Sequence, residues 1–250
     1  MVIATDLDLL TFTTINAACR LAGTPFYAAG THGFYGFIFA DLGPEHFYVI
    51  EREQSNQPTR LGKETETRNI MKTSTKTENG KVVEMVTKRE VYTPIPLANT
   101  SPLPNSCISN RRRKLQVTPL LSCLRALWEF QSISNNYPGN SRADLELFTT
   151  LATQKHSELQ LPSETLNSHI LRSFLQNLGS ELAPVTAFLG GQLAQDVINV
   201  LGQREQPIQN FVLFDGEDSK GLVYALHPIF PALSMAPTAP ATADLGAMMT

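Results

Sequence analysis

The chain has 250 residues, of which 42% are apolar and 17% charged, with a formal net charge of −3. That is room for one large domain or two small ones around a sizeable core. It excludes a highly charged disordered chain, and so small a net charge excludes capture of nucleic acid or anionic lipid by the field of the whole molecule.

The opening MVIATDLDLL carries two aspartates and no basic region, so it does not read as a secretory signal. No apolar run approaches the length of a membrane-spanning helix. Three widely spaced cysteines, Cys19, Cys107 and Cys123, fit a reducing compartment and offer neither a disulfide framework nor a zinc site.

Val2–Thr5 reads as a buried strand, followed by Asp6 and Asp8 in a turn. Phe12, Ile15, Ala18, Cys19 and Ala22 fall at helical spacing, with Gly23 as the stop. A second strand begins at Pro25, and Phe34–Ala40 and Phe47–Glu51 are aromatic-rich strand candidates. Strand, helix and strand in this order predict a βαβ unit and a parallel sheet.

Charge then shifts. From Glu51 to Lys114 there are 13 Lys and Arg against 7 Asp and Glu, a local +6 set into an acidic body. Ser55–Gly80 is rich in Thr, Lys, Glu and Asn and is expected to be a flexible, disordered insertion. Lys81–Tyr92 alternates as one strand, and Pro94–Pro104 reads as extended or loop. Helices are expected over Pro119–Ser132, Asp144–Leu159 and Ser163–Leu178, the last with Ser163 as N-cap. Pro184 opens a helix through Leu201. Asn210–Phe214 is a strand, Asp215-Gly216 its turn and Gly221–Leu226 its hairpin mate. The tail from Pro231 is of low complexity.

These patterns divide the chain into a strand–helix–strand part (residues 1–54), a flexible basic insertion (55–114), a helical segment (115–180) and a C-terminal helix with strands completing an α/β domain (181–228). A disordered tail (229–250) follows.

Few residues point to chemistry. Gly30, Gly33 and Gly36 are followed by aromatics and strand formers, not by the helix a phosphate cradle requires, so they read as a structural bend. His32 among them has no acid or nucleophile nearby in sequence. Cys19 falls on an apolar helix face, Cys107 in an exposed loop and Cys123 on a helix. A catalytic cysteine needs a depressed pKa and a shaped groove, and the sequence shows neither. Asp215 reads as a turn residue rather than a metal ligand. Arg111-Arg-Arg-Lys114 is either a nuclear localisation signal or a solvated loop. Gly190 and Gly191 interrupt an apolar helix at a cost of about 1 kcal/mol each. They are expected to mark a close backbone neighbour, within the domain or across to a partner.

Two segments carry a resemblance. The stretch Ala183–Ile198, APVTAFLGGQLAQDVI, followed by Gln209–Gly216, QNFVLFDG, resembles the non-catalytic adenylation-type half of the activating enzymes of ubiquitin and ubiquitin-like modifiers. Phe26–Gly43, FYAAGTHGFYGFIFADLG, resembles the same half and points most closely to the small subunit of heterodimeric SUMO-activating enzymes. The resemblance covers about residues 1–51 and 115–228.

It implies an incomplete Rossmann-like fold of the ThiF/MoeB type with a polar insertion. The family's glycine-rich nucleotide loop precedes the matching region, so it also implies an N-terminally truncated chain, a shortened isoform or a gene-model truncation. Catalytic, cofactor-binding and metal residues are expected to be none on this chain. ATP, magnesium and the thioester cysteine are expected in the large catalytic partner subunit, with SUMO engaged indirectly and neither nucleic acid nor membrane as partner. The chain alone is expected to be inactive, and its location nuclear, with the cytoplasm as a second compartment beside the nucleus. A rival reading is a non-catalytic scaffold or assembly protein. A free-standing sulfur-carrier adenylyltransferase would need a nucleotide loop and CxxC zinc pairs that this sequence does not contain.

Overall fold

The computed structural model describes residues 1–53, 59–78 and 81–229. The tail from residue 230 and the insertion residues 54–58, 79 and 80 lie outside the described residues.

Strand β1 (Val2–Thr5), helix α1 (Leu9–Leu21) and strand β2 (Phe26–His32) form the expected βαβ unit, β1 pairing parallel to β2. Asp8 caps α1, its carboxylate accepting from the Thr11 amide at 2.9 Å and the Thr11 hydroxyl at 2.6 Å. Gly23, at φ 62°, takes the left-handed conformation that ends the helix. The chain then turns directly into β3 (Tyr35–Asp41), antiparallel to β2. The C-terminal hairpin β8 (Phe211–Asp215) and β9 (Lys220–Tyr224) adds to β3, giving the order β1-β2-β3-β8-β9. The expected parallel sheet is therefore corrected to one parallel pair in an otherwise antiparallel sheet. A short turn at Gly33 returns β3 beside β2 without a crossover helix.

This sheet is buried on both faces. Phe26, Ala28, Phe37, Phe39, Phe211 and Leu213 face one cluster, with Phe12 and Cys19 of α1 and Leu124, Leu127 and Trp128 of α5 (Leu120–Ser134). Tyr27, Ala29, Ile38, Ala40, Val212 and Phe214 face the other, against Val185, Leu189, Leu193 and Val200 of α8 (Ala183–Gly202). The period-two alternation of each strand thus feeds two cores, which is why these strands read as unbroken apolar runs. Helices α6 (Arg142–Glu158) and α7 (Ser168–Asn177) back α5 through Phe148, Leu151 and Phe174.

A second sheet, ordered β4-β7-β6-β5, is built from β4 (His46–Glu53), β5 (Gly62–Lys63), β6 (Arg68–Glu78) and β7 (Lys81–Glu90), all antiparallel. The flexible insertion expected over Ser55–Gly80 is corrected here, because residues 62–63 and 68–78 are strands. Threonines suit a pleated surface, and cross-strand charges replace apolar contacts. Arg68 bonds buried Glu90 at 2.8 Å, Arg52 bonds Glu84 at 2.9 Å, and Lys88 bonds Glu64 at 2.8 Å. Arg52, Arg68 and Lys88 of the basic block are thereby paired in place.

Two further expectations are corrected. Within Pro94–Pro104, α2 (Ile95–Thr100) is helical, since Pro94 and Pro96 fall at its cap and first turn, where no amide partner is lost. The short helices α3 (Asn105–Ile108) and α4 (Arg111–Lys114) follow. The single helix expected over Ser163–Leu178 is a 3₁₀ turn at Ser163–Thr165 and then α7. Asn167, not Ser163, is the N-cap of α7, accepting from the Ile170 amide at 3.0 Å.

Both ends of the insertion meet at one carboxylate. Asp41, 1% exposed at the end of β3, accepts from Asn16 Nδ2 at 2.7 Å, Arg20 Nε at 2.7 Å, Arg20 Nη2 at 2.9 Å and the Gly43 amide at 3.1 Å. Arg20 also donates to the Tyr92 carbonyl, and Asn16 Oδ1 accepts from the Ile95 amide at 2.9 Å.

Helix α8 lies on β3, and the close approach is made by a glycine of the sheet. A Cβ at Gly36 would stand 2.3 Å from Leu189 Cδ1, whereas Cβ atoms at Gly190 or Gly191 would meet nothing within 4 Å. The expectation of a close neighbour within the domain is thus corrected: both glycines face outward, which leaves the alternative of a neighbour on a partner. Gly191→Ala should stabilise the isolated chain by about 0.8 kcal/mol through helix propensity. A thermal scan should show a small rise in Tm, and a fall would contradict this packing.

Burial lowers the pKa of His32, His46 and His156 below the usual imidazole value. The unfolded chain then binds their protons more readily than the folded one. Their stabilising contribution is full above pH about 6.5 and is lost as pH falls toward the folded values. The urea midpoint should drop from pH about 7.5 to about 5.5; an unchanged midpoint would contradict the burial of these rings.

Candidate interaction surface

The residues that sequence reasoning weighed for chemistry are scattered, and most are used internally. At the Gly33 bend, at φ 58°, the Gly33 amide donates to the Ser180 carbonyl at 2.7 Å and the Phe34 amide to Asn177 Oδ1 at 3.1 Å. These donors already serve the fold, and the bend joins two strands, so the site does not fit a phosphate cradle. His32 packs edge-on against Tyr137 and Phe174, with ring centroids 6.1 and 6.2 Å away.

Cys19 and Cys123 are buried, and burial pushes the Cys123 thiol up to about 12, the wrong direction for a nucleophile. Cys107, expected to be exposed, is half-buried. Asp215 Oδ1 accepts from the amides of Glu217 at 3.0 Å and Asp218 at 3.3 Å, which makes it a turn residue as read. The run Arg111–Lys114 is neither extended nor a loop but a one-turn helix. Arg111 pairs with Glu164 at 2.8 Å, and Arg113 donates to the Ser106 carbonyl at 2.9 Å. Among the described residues, no group of three or more His, Cys, Asp and Glu is placed to hold a metal, and no helix is long and apolar enough to cross a membrane.

What the structure does assemble is a surface. The inner face of α8 is buried and carries the helix's single charged residue, Asp196. Its carboxylate accepts from Tyr27 Oη at 2.6 Å and the Ile208 amide at 2.8 Å, which locks the helix against β2. Burial holds the Asp196 pKa above the usual carboxylate range, offset by these two donors.

The outer face carries no charge. Pro184, Ala187, Phe188, Gly191, Ala194, Gln195, Ile198 and Leu201 recur at three- and four-residue spacing along it. Phe188, Ile198 and Leu201 are 49%, 62% and 71% exposed. Phe188 is held in place by stacking on Phe214 at 4.5 Å. A surface helix ordinarily turns charged residues to water, whereas this face shows water only apolar, small and uncharged polar side chains such as Gln195. Sequence reasoning singled out the two glycines of this helix but missed Phe188, Ile198 and Leu201 as its outward anchors. The available signal was that, of the residues from Ala183 to Gly202, only Asp196 is charged.

Comparison with known proteins finds no matching family model. Curated relatives do match. The chain is 29% identical over 219 residues to the DNA damage tolerance protein RHC31 of Saccharomyces cerevisiae, covering 86% of this chain and 61% of the relative. It is 27% identical over 215 residues to SUMO-activating enzyme subunit 1 of Xenopus tropicalis, covering 85% and 59%. Against SUMO-activating enzyme subunit 1 of Homo sapiens it is 27% identical over 221 residues, covering 86% and 59%. The chain therefore spans about three-fifths of the length of these relatives. The mixed α/β architecture agrees with the Rossmann-like expectation, and the chain is a homologue of the SUMO-activating enzyme subunit 1 proteins to which its helix and strand motifs pointed.

Proposed function

We propose that this chain is a structural and regulatory subunit of a SUMO-activating enzyme. It supports ATP-dependent adenylation and thioester transfer of SUMO carried out by a large catalytic subunit. In this reading ATP, magnesium and the thioester cysteine belong to the large subunit, and this chain meets SUMO through it.

The observation that carries the reading is the charge-free outer face of α8, which lies in the segment that matches the subunit 1 proteins. Small residues at Ala187, Gly190, Gly191 and Ala194 let a second backbone approach closely, and Phe188, Ile198 and Leu201 provide side chains to bury. The proposal extends to a nuclear location, supported by the basic run Arg111–Lys114, whose three arginines are exposed.

The test is co-purification with the large subunit of a SUMO-activating enzyme, followed by SUMO-dependent ATP–pyrophosphate exchange. The pair should form and be active, while the chain alone shows no exchange. Gly191→Leu has open space in the chain alone and should fold normally, yet it should weaken the complex at least ~10-fold by blocking the close approach. Ile198→Asp should do the same by burying an unpaired charge. A complex of undiminished affinity with both variants would remove α8 from the interface. Exchange activity in the isolated chain, or no complex at all, would overturn the subunit reading in favour of a free-standing enzyme or a scaffold.

A further inference from the structure

Away from α8, a groove of about 590 Å³ runs between α4 and the connection after α6. Arg111 and Lys114 stand on one wall, Leu161, Pro162 and Glu164 on the other, and Ile108 adds to the apolar lining. We propose that this groove is a docking site for an acidic peptide segment that carries an apolar residue among its carboxylates. The inference does not depend on the subunit reading.

Charge is the first argument. Of four consecutive cations, Arg111 and Lys114 line the groove, beside one lining carboxylate, Glu164, in a chain of net charge −3. In the second sheet, by contrast, Arg52, Arg68, Lys88 and Arg89 each have a carboxylate partner. Lys114 lines the groove half-buried and has no carboxylate partner among the described residues.

Geometry is the second. The run is held ready rather than loose: Asn110 Oδ1 caps the Arg113 amide at 2.9 Å, and the Arg113 guanidinium is tied to the Ser106 carbonyl at 2.9 Å. A braced wall loses little freedom on binding. The Arg111–Glu164 contact at 2.8 Å already shows a carboxylate seated on this wall. Both partners are exposed, so the pair contributes little and a peptide carboxylate can exchange for Glu164. Pro162 and Ile108, half-buried beside the buried Leu161, give an apolar side chain a surface to cover. The volume lies in the range of small binding sites and suits a short extended segment.

The experiment is fluorescence anisotropy on the purified full chain with a labelled octapeptide of Glu and Asp containing one central Leu. A control peptide carries Gln and Asn in place of every acid. The acidic peptide should bind with an affinity that falls as salt rises, and the control should not. Lys114→Glu and Arg111→Glu should each weaken binding at least ~10-fold, and Glu164→Gln should tighten it about threefold by removing the internal competitor. If a charge reversal lowers Tm, the exposed Glu164→Gln variant and the salt dependence decide.

Equal binding of both peptides, no effect of Lys114→Glu in a folded variant, or no tightening with Glu164→Gln would each overturn the proposal. So would a single-stranded oligonucleotide that competes as well as the peptide, since that marks a general polyanion surface.

Discussion

The Asp41 carboxylate is the point on which both sheets depend. It is buried at the end of β3 and receives donors from Asn16, Arg20 and Gly43. Through Arg20 and Asn16 the same cluster holds Tyr92 and Ile95, where the chain returns from the second sheet. The Tyr92 amide also donates to the Gly43 carbonyl at 3.0 Å, so the insertion leaves and re-enters the core at one place. A long excursion pinned at its base adds little closure entropy, and the core need not rearrange to accept it. A buried charge is tolerated only when its acceptor capacity is filled, and here four contacts fill it. The Asp of the FADLG motif therefore has a structural reason for its place.

Fixing this junction leaves the central sheet free to be covered on both faces. One face takes α1 and α5, and the other takes α8. Because α8 is the sole helix packed on its face among the described residues, its far side has nothing over it. Asp196 and Leu189 fix its orientation from within, and Gly36 gives it room to sit close. A helix so firmly held, with an uncharged outer stripe, is what the proposed interface with a second subunit would require. The relation to SUMO-activating enzyme subunit 1 proteins supplies a reason for such an interface.

Much of this architecture was legible in the residues. The β1–α1–β2 unit, the β8–β9 hairpin and the helices α5, α6 and α8 followed from apolar periodicity, caps and stops, because there burial and local preference agree. The second sheet was not legible. Its strand β6 is held by backbone pairing and by carboxylates that meet cations from distant positions, such as Arg68 with Glu90, and apolar patterning does not record such partners. Helix α2 was hidden by prolines whose meaning depends on being at a cap. The parallel-sheet expectation failed because it extended the pairing of β1 and β2 to the whole sheet, whereas the glycine bend at Gly33 reverses the chain into an antiparallel neighbour. At the candidate surface, the unusual glycines were visible but not the direction they face. Periodicity places residues on a helix face, and only packing says which face is covered.

The most direct test of this account is the urea unfolding of Asp41→Asn. The amide keeps the size of the carboxylate but turns one acceptor into a donor facing Asn16 and Arg20, leaving a partly buried cation unpaired. The account predicts a loss of about 3 kcal/mol or more. Amides of β7 should lose hydrogen-exchange protection together with those of α1, since both hang on the same junction. Stability within about 0.5 kcal/mol of the parent chain, or loosening of the second sheet with α1 unaffected, would contradict it.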